Sequence, residues 1–258
     1  MVLLAGGAAA YYYFWAGKPP VPPPASPTRA ESERTTAPAI AEPAIRHPLD
    51  TAQSTKAAKP LPALDESDTT LWKALAELLG KKSLAELLKP ERIVRNIVAT
   101  VDNLPREFAS SRVMPLVGTP GVFIVQGKAN NAVIGLGNPA RYANRIRLMQ
   151  TLDVRWLVDL YLQFYPLFQT AYAELGYPGR YFNDRVIEAL DDLLATPDIM
   201  TPIELLQPKV LYQYADTGLE ARSAGQKIMI RIGVANAGLV KAKLRELRRE
   251  LLSRAPRR

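Results

Sequence analysis

The chain has 258 residues, 48% of them hydrophobic and 22% charged, a balance typical of a globular protein with a sizeable core. It has no cysteine, and its single histidine, His47, lies in a proline-rich stretch, so thiolate or Ser-His-Asp catalysis and cysteine- or histidine-bound metals are not expected. The net charge of +8 comes mainly from residues 239–258, which hold eight basic and two acidic side chains, whereas residues 64–238 hold 19 of each. For an enzyme this leaves Asp/Glu acid–base work, Lys or Tyr chemistry, or carboxylate-bound Mg²⁺ or Ca²⁺. No motif indicates a particular group, so we expect no cofactor and no metal.

Residues 1–17 carry no charged side chain and end in an aromatic cluster, residues 11–15 (YYYFW). A helix of this length spans about 25 Å, somewhat less than a hydrocarbon core of about 30 Å. Aromatic rings favour the membrane–water interface, so we predict a transmembrane anchor. The short span and the missing basic start indicate an anchor truncated at its beginning. A cleaved signal peptide is the alternative, since residues 8–10 are alanines suited to a cleavage site.

Residues 18–63 contain 11 of the 22 prolines and no aromatic residue. Such a stretch favours polyproline II and polar coil, and it cannot bury enough apolar surface to fold. We predict a disordered Pro/Ala-rich stalk that separates the anchor from a helical domain at residues 64–258.

Helical periodicity dominates the remainder of the chain. A first helix runs from Leu71 to a stop at Gly80, a short one covers 84–88, and Pro90 is predicted at the start of a third that ends before Pro105. Residues 122–125 and 132–134 predict a β-hairpin. The later predicted helices are 138–150, a long one capped by Thr151 and containing Pro166, then 184–195, 203–206, 224–233 and 235–253. The predicted fold class is mainly α, a compact orthogonal multi-helix domain with one small β-hairpin.

Three stretches carry a family resemblance: Ile93–Arg106 (IVRNIVATVDNLPR), Tyr165–Pro197 (YPLFQTAYAELGYPGRYFNDRVIEALDDLLATP) and 207–244. In their residue sequences and in their order along the chain, they resemble the signature blocks of an uncharacterised proteobacterial family, domain of unknown function 3014. The resemblance implies an N-terminal membrane span and a proline-rich stalk, and it implies no activity. Together with the anchor, it predicts a single-pass protein of a bacterial inner membrane. A cysteine-free domain on a long stalk favours the periplasm, although Lys18 and Arg29 after the span favour the opposite orientation.

Three clusters of polar residues are candidate ligand-binding sites. The residues of the first cluster lie along one predicted helix and its end. They would clamp a polar or anionic group, or Asp102 and Asn103 would only form hydrogen bonds to the backbone groups at the helix end. The second lies at the start of a later helix, where Asn183 is predicted as the N-cap. The third pairs Ser223 with Lys227 at i,i+4, the spacing of a Ser–Lys dyad, although an N-cap serine and a solvated lysine explain it as well. The candidates are Arg95, Asn96, Asp102, Asn103 and Arg106; Tyr181, Asn183, Asp184 and Arg185; and Tyr212, Ser223, Gln226 and Lys227.

The basic C-terminal helix has an apolar face expected to dock on the body, with lipid headgroups or an acidic polymer as possible partners of its charged face. Nucleic acid is not expected, because no aromatic residue lies among these charges. These features predict a non-enzymatic, membrane-tethered module that binds an envelope protein, cell-wall or lipid ligand. The alternative is a carboxylate-dependent hydrolase of envelope polysaccharide or peptide, which would use two of Asp102, Glu174, Asp184 and Asp216.

Overall fold

The computed structural model describes residues 44–50, 60–128, 131–200, 202–208 and 210–256. The predicted anchor at 1–17 and most of the predicted stalk lie outside the described residues. Within the ranges that are described, no helix has the length and apolarity to cross a membrane.

The described part of the chain is mainly helical, as predicted, and the predicted β-hairpin is present. Its first strand is Val125–Gln126 rather than 122–125, and its second is Val133–Ile134 within the predicted 132–134. Nine α-helices are described. They are α1 (Ser67–Leu79), α2 (Lys81–Leu87), α3 (Ile93–Asn103), α4 (Ala143–Thr151), α5 (Val154–Glu174), α6 (Phe182–Leu194), α7 (Thr217–Glu220), α8 (Ala224–Arg231) and α9 (Val234–Ser253).

The start of α3 differs from the prediction. Pro90 lies three residues before the helix, and the residue at its N-cap position, Arg92, has a left-handed backbone with φ of 53°. The cap comes instead from α1, because the carboxylate of Asp68 accepts from the main-chain N–H groups of Arg92 and Ile93 at 2.5 and 2.7 Å. A tertiary contact therefore performs the function that the sequence assigned to a local proline.

The long helix α5 also begins differently. Asp153 is its N-cap and accepts from the N–H groups of the next two residues, at 2.9 and 3.2 Å, whereas Thr151 is the last residue of α4. The helix continues through Pro166 as one element of 21 residues. Thr151 and Asp153 are both good capping residues two positions apart, so the local sequence alone did not separate them.

The structure contains a second hairpin that the sequence analysis missed. In the first hairpin, β1 (Val125–Gln126) pairs with β2 (Val133–Ile134), and in the second, β3 (Leu205–Leu206) pairs with β4 (Gln213–Tyr214), both antiparallel. The predicted helix at 203–206 is therefore wrong. Residues 203 and 205 are held in extended form by backbone hydrogen bonds to β2 and its preceding residue, a non-local pairing that four residues of sequence do not reveal.

The main hydrophobic core lies between α1, α3, α5, α6 and α9. Phe164 of α5 and Phe182 of α6 are its largest fully buried side chains, each 1% exposed. A smaller cluster joins the two hairpins to Ile230 of α8, and another joins α4 to α8 and α9. The first turn of α6 is thus fixed at the main core through Phe182, which determines where its polar residues point.

Residues 44–50, which the sequence analysis placed in the disordered stalk, pack against the helical domain; we call this segment the strap. The Leu49 side chain is only 8% exposed and belongs to the main core, and the N–H of Asp50 donates to the carbonyl of Arg254 at 2.9 Å. For these seven residues the prediction of a disordered spacer is wrong. An isolated leucine among prolines and alanines gives little periodic signal, yet it suffices to dock a short segment when its N–H groups also find acceptors.

Candidate functional site

The carboxylate of Asp102, at the end of α3, is the centre of a buried ionic network. Its side chain is 7% exposed, and its Oδ1 accepts from Nε of Arg185 at 3.1 Å while its Oδ2 accepts from Nη2 of Arg106 at 2.7 Å. Both guanidinium groups also donate to the Asp102 main-chain carbonyl. Asp102 thereby joins Arg106, three residues beyond the end of α3, to Arg185 of α6, 83 positions away from Asp102.

The network extends to a turn that follows α5. Nη2 of Arg106 donates to the hydroxyl of Tyr177, and that hydroxyl lies 3.4 Å from Oδ2 of Asp102. The hydrogen bond to Tyr177 and the Asp102 carboxylate raise the pKa of Arg106, so its charge is held permanently. Burial, and then the charge of Asp102, raises the pKa of the adjacent Tyr172.

The first turn of α6 contacts the strap. Asn183 is not the predicted N-cap: Tyr181 holds that position, and Asn183 is 1% exposed inside the helix. The amide of Asn183 donates to the carbonyl of His47 at 2.8 Å, and the Asp184 carboxylate accepts from the N–H groups of Arg46 and His47 at 3.1 and 2.7 Å. The polar residues of this turn therefore bind main chain rather than cap their own helix.

These two groups, which the sequence presented as separate clusters, border one polar cavity of about 400 Å³. Four arginines and three carboxylates lie around it, together with three tyrosines and Ala44. The lining residues are Ala44, Arg46, Asp102, Arg106, Tyr172, Tyr177, Arg180, Tyr181, Asp184, Arg185 and Glu188. Five of the thirteen predicted site residues are among them.

The four arginines of the polar cavity differ in whether a carboxylate pairs with them. Arg185 is bound by Asp102 and Glu188, and Arg106 by Asp102. Arg180 lies over the ring of Tyr177, 5.6 Å from its centroid, and within the described residues no carboxylate pairs with Arg180 or Arg46. Because guanidinium groups recognise carboxylates and phosphates through paired N–H donors, the cavity is suited to an anionic group.

The other members of the first cluster lie outside the polar cavity. Arg95 forms ion pairs with Asp65 and Glu174, and its hydrogen bonds to these two residues raise its pKa. Asn96 and Asn103 donate to main-chain carbonyls of their own segment. The seven-residue spacing placed Arg95 and Asp102 on one helix face, but two turns of separation give them different partners.

The third cluster does not form a Ser–Lys dyad. Ser223 caps α8 as predicted and donates its hydroxyl hydrogen to Asp192 at 2.6 Å. Lys227 is 8% exposed rather than solvated, and its Nζ donates to the carbonyl of Glu220 at 2.9 Å and lies 5.2 Å from the ring centroid of Phe108. Each of the two proposed dyad members thus has another partner, so neither activates the other.

The remaining members of the third cluster are structural. The amide of Gln226 donates to the main chain and carboxylate of Asp192, both at 3.0 Å, and Tyr212 packs on Phe123 in the small cluster beside the hairpins. The N–H of Gly225 donates to the carbonyl of Leu104 at 2.9 Å, where an added Cβ would lie 3.1 Å from that oxygen. This close approach fixes the end of α3, and with it Asp102 and Arg106.

The four carboxylates considered for hydrolysis do not lie at one site in the structure. Asp102 and Asp184 both border the polar cavity, whereas Glu174 pairs with Arg95 and Asp216 caps α7 through the N–H groups of residues 218 and 219. The carboxylates of Asp102 and Asp184 both accept hydrogen bonds from N–H donors.

The basic helix α9 is bound to the body by several of its own charges. Lys241 is 7% exposed and donates to Asp198 at 2.7 Å, and Arg248 donates to Asp191 at 2.6 Å. Arg245 and Arg249 remain exposed. The predicted docking of this helix is therefore confirmed, and part of its charge is used in docking.

Five of the charged or hydroxyl-bearing residues of the polar cavity were not predicted from the sequence: Arg46, Tyr172, Tyr177, Arg180 and Glu188. Tyr177 and Arg180 flank a Pro-Gly turn directly before the Tyr181 cluster, a signal that was present in the sequence. Arg46 had no such signal, because nothing local indicates that the strap folds against α6.

The fold is mainly helical, with two small hairpins and a polar cavity lined by arginines. The family model described as "Protein of unknown function (DUF3014)" matches residues 93–248, which is more than half of the chain. The chain belongs to this family, as the resemblance predicted. The matched range includes both α3 and α6 and hence most of the polar cavity, but not the strap. Comparison with curated proteins and comparison with solved structures each find no match.

Proposed function

We propose that the polar cavity binds a small anionic group, a carboxylate or phosphate carried by an envelope ligand. The observation that carries this proposal is the presence of four arginines around one cavity, two of which have no carboxylate partner within the described residues. A volume of about 400 Å³ lies in the range of small-molecule sites. Asp102 holds Arg106 and Arg185 in place, so their orientation is fixed before a ligand arrives.

The proposed context is a module tethered to a bacterial inner membrane, facing the periplasm. The uncharged residues 1–17, with their aromatic end, and the proline-rich residues that follow support this tether. A tethered domain meets membrane and cell-wall ligands at a raised effective concentration, so a modest intrinsic affinity is sufficient.

Hydrolysis is the second candidate, because Asp102 and Asp184 share the polar cavity. A glycosidase-type reaction requires one carboxyl group that donates a proton and a second that acts as base or nucleophile. Here both carboxylates accept hydrogen bonds from N–H groups, and Asp102 is bound by two guanidinium groups. Binding is therefore favoured over catalysis.

The test is a calorimetric titration of the full-length chain with inorganic phosphate and, separately, with acetate. Arg180→Gln removes a guanidinium that no carboxylate of the described ranges pairs with. The change is expected to weaken binding about tenfold or more, since a hydrogen bond to a charged group contributes about 1.5–3 kcal/mol. Arg245→Gln is the matched control, because Arg245 is an exposed arginine on α9. Unchanged affinity in Arg180→Gln, or an equal loss in Arg245→Gln, would contradict the proposal.

A second arm distinguishes soluble ligands from lipid headgroups. The same three proteins are compared for binding to vesicles of phosphatidylglycerol and phosphatidylcholine and to vesicles of phosphatidylcholine alone. A headgroup ligand predicts that Arg180→Gln reduces the preference for phosphatidylglycerol. A soluble ligand predicts that Arg180→Gln keeps the preference of the wild-type chain while phosphate or acetate binding still depends on Arg180.

A further inference from the structure

The main chain of the strap is held by the first turn of α6. The two oxygens of the Asp184 carboxylate accept from the consecutive N–H groups of Arg46 and His47, at 3.1 and 2.7 Å. The side-chain amide of Asn183 donates to the carbonyl of His47 at 2.8 Å. Three of the four polar groups of this short stretch of main chain are therefore satisfied by two adjacent residues of one helix turn.

The other end of the strap is anchored by one apolar side chain. Leu49 is 8% exposed in the main core, and its N–H donates to the hydroxyl of Tyr181 at 3.1 Å. Beside it, Asp50 donates its N–H to the carbonyl of Arg254. In contrast, Ile45 of the same segment is 55% exposed. The contacts described here, one buried leucine and main-chain hydrogen bonds at residues 46, 47, 49 and 50, are local to the strap, and a segment with few apolar contacts opens more readily than the helices beneath it.

The strap supplies the surplus positive charge of the polar cavity. With the strap docked, four arginines face three carboxylates; the arginines of the helical body alone, Arg106, Arg180 and Arg185, only balance those carboxylates in number. Arg46 also brings one of the two guanidinium groups of the cavity that no described carboxylate pairs with. An anion in the cavity thus makes favourable contacts that exist only while the strap is docked.

From these contacts we infer that the strap is part of the binding site, and that strap docking and anion binding stabilise each other. The inference rests on the anion-binding function proposed above and concerns the regulation of that same site. Because coupling between two equilibria is reciprocal, an anion that binds the docked form more tightly must also shift the strap towards docking. The strap continues directly from the predicted stalk, so occupancy of the site changes how firmly the stalk is attached to the domain.

The first measurement needs no variant. Amide hydrogen exchange is followed in the full-length chain, with and without inorganic phosphate at saturation, at the N–H groups of Arg46, His47, Leu49 and Asp50. Coupling predicts that phosphate slows exchange at these four amides by about fivefold or more, with no comparable change in the core of α5. Saturating phosphate that leaves strap exchange unchanged would overturn the inference while leaving the anion site intact.

The second measurement compares two uncharged substitutions on the strap. Leu49→Ser removes the anchor, and Ile45→Ser is the matched control at an exposed position. Calorimetry is expected to show phosphate affinity reduced by about fivefold or more in Leu49→Ser and unchanged in Ile45→Ser. Equal affinity in Leu49→Ser and the wild-type chain would overturn the coupling alone. Phosphate binding to neither chain would overturn the proposed function and the inference together.

Discussion

Nε of Arg185 donates to Oδ1 of Asp102 at 3.1 Å, and both side chains are largely buried, at 14% and 7% exposure. This ion pair connects α3 to α6 across 83 residues, and both of its members line the polar cavity. A buried pair of this kind contributes little net stability compared with an apolar pair, but the removal of one partner leaves the other charge uncompensated. The relationship therefore matters for both the stability and the shape of the site.

The first prediction concerns Asp102. Asp102→Asn is expected to lower the free energy of unfolding by about 2 kcal/mol. The reason is that Arg185, 14% exposed, keeps only Glu188 as a carboxylate partner, and Arg106, 47% exposed, loses its one carboxylate partner among the described residues. Urea denaturation followed by circular dichroism measures this loss. Asp65→Asn is the control, since Asp65 also binds an arginine, Arg95, but is 83% exposed. That change is expected to cost less than about 1 kcal/mol, and a similar loss in both variants would contradict the central role of Asp102.

The second prediction concerns the tertiary cap of α3. Asp68→Ala is expected to cost about 1–2 kcal/mol, because the N–H groups of Arg92 and Ile93 lose their acceptor. Asp68→Asn keeps an acceptor oxygen and should cost clearly less. The comparison is made by chemical denaturation. If the alanine and asparagine variants were equally stable, Asp68 would not act as the cap.

The third prediction concerns Ser223 as a nucleophile. A fluorophosphonate probe is expected not to label Ser223, because its hydroxyl donates to Asp192 and Lys227 is held by Glu220. Intact-protein mass spectrometry after incubation with the probe measures the labelling. A single covalent adduct that disappears in Ser223→Ala would reinstate the dyad.

The fourth prediction concerns alkaline pH. Burial raises the pKa of Tyr214 to about 12, and its hydroxyl donates to the carbonyl of Lys227 at 3.0 Å. In the unfolded chain this phenol ionises near pH 10, so the stability that it contributes is fully present below pH 10 and is lost as the pH rises from about 10 to 12. The urea midpoint is measured from pH 8 to 12.

Tyr214→Phe is the comparison for this pH series. The variant lacks the ionisable hydroxyl, so its stability should fall less steeply above pH 10 than that of the wild-type chain, whatever its stability at pH 8. Parallel curves for the two proteins across the alkaline range would show that Tyr214 does not contribute to the pH dependence.

The sequence predicted the helices better than the connections between them. Helices such as α1 and α9 have a regular apolar periodicity, and stop or start residues such as Gly80 marked their ends. The caps of α3 and α5 and the second hairpin were wrong or missed. Asp68 acts on a helix 24 residues away, and residues 203–205 are extended because they pair with the first hairpin. These contacts are tertiary, so no local pattern contains them.

The polar cavity was predicted in parts. Asp102 and Arg106 were identified around the end of one predicted helix, and Tyr181, Asp184 and Arg185 around the start of another, because clusters of polar side chains beside a helix end are visible in sequence. Their meeting was not predicted, since it depends on the packing of α3 against α6. The strap was the largest omission, because a proline-rich segment with one buried leucine resembles a spacer until the surface that it covers is known.

The most direct test of the proposed anion site is to find which arginines an added anion contacts. Arginine side-chain Nε–H resonances of the full-length chain are recorded by NMR during a titration with inorganic phosphate, and Arg46→Gln, Arg180→Gln and Arg245→Gln assign three of them. The account predicts saturable shifts at Arg46 and Arg180 and none at Arg245. Uniform, non-saturating shifts at all exposed arginines, or no shift at Arg46 and Arg180, would contradict an anion site in the polar cavity.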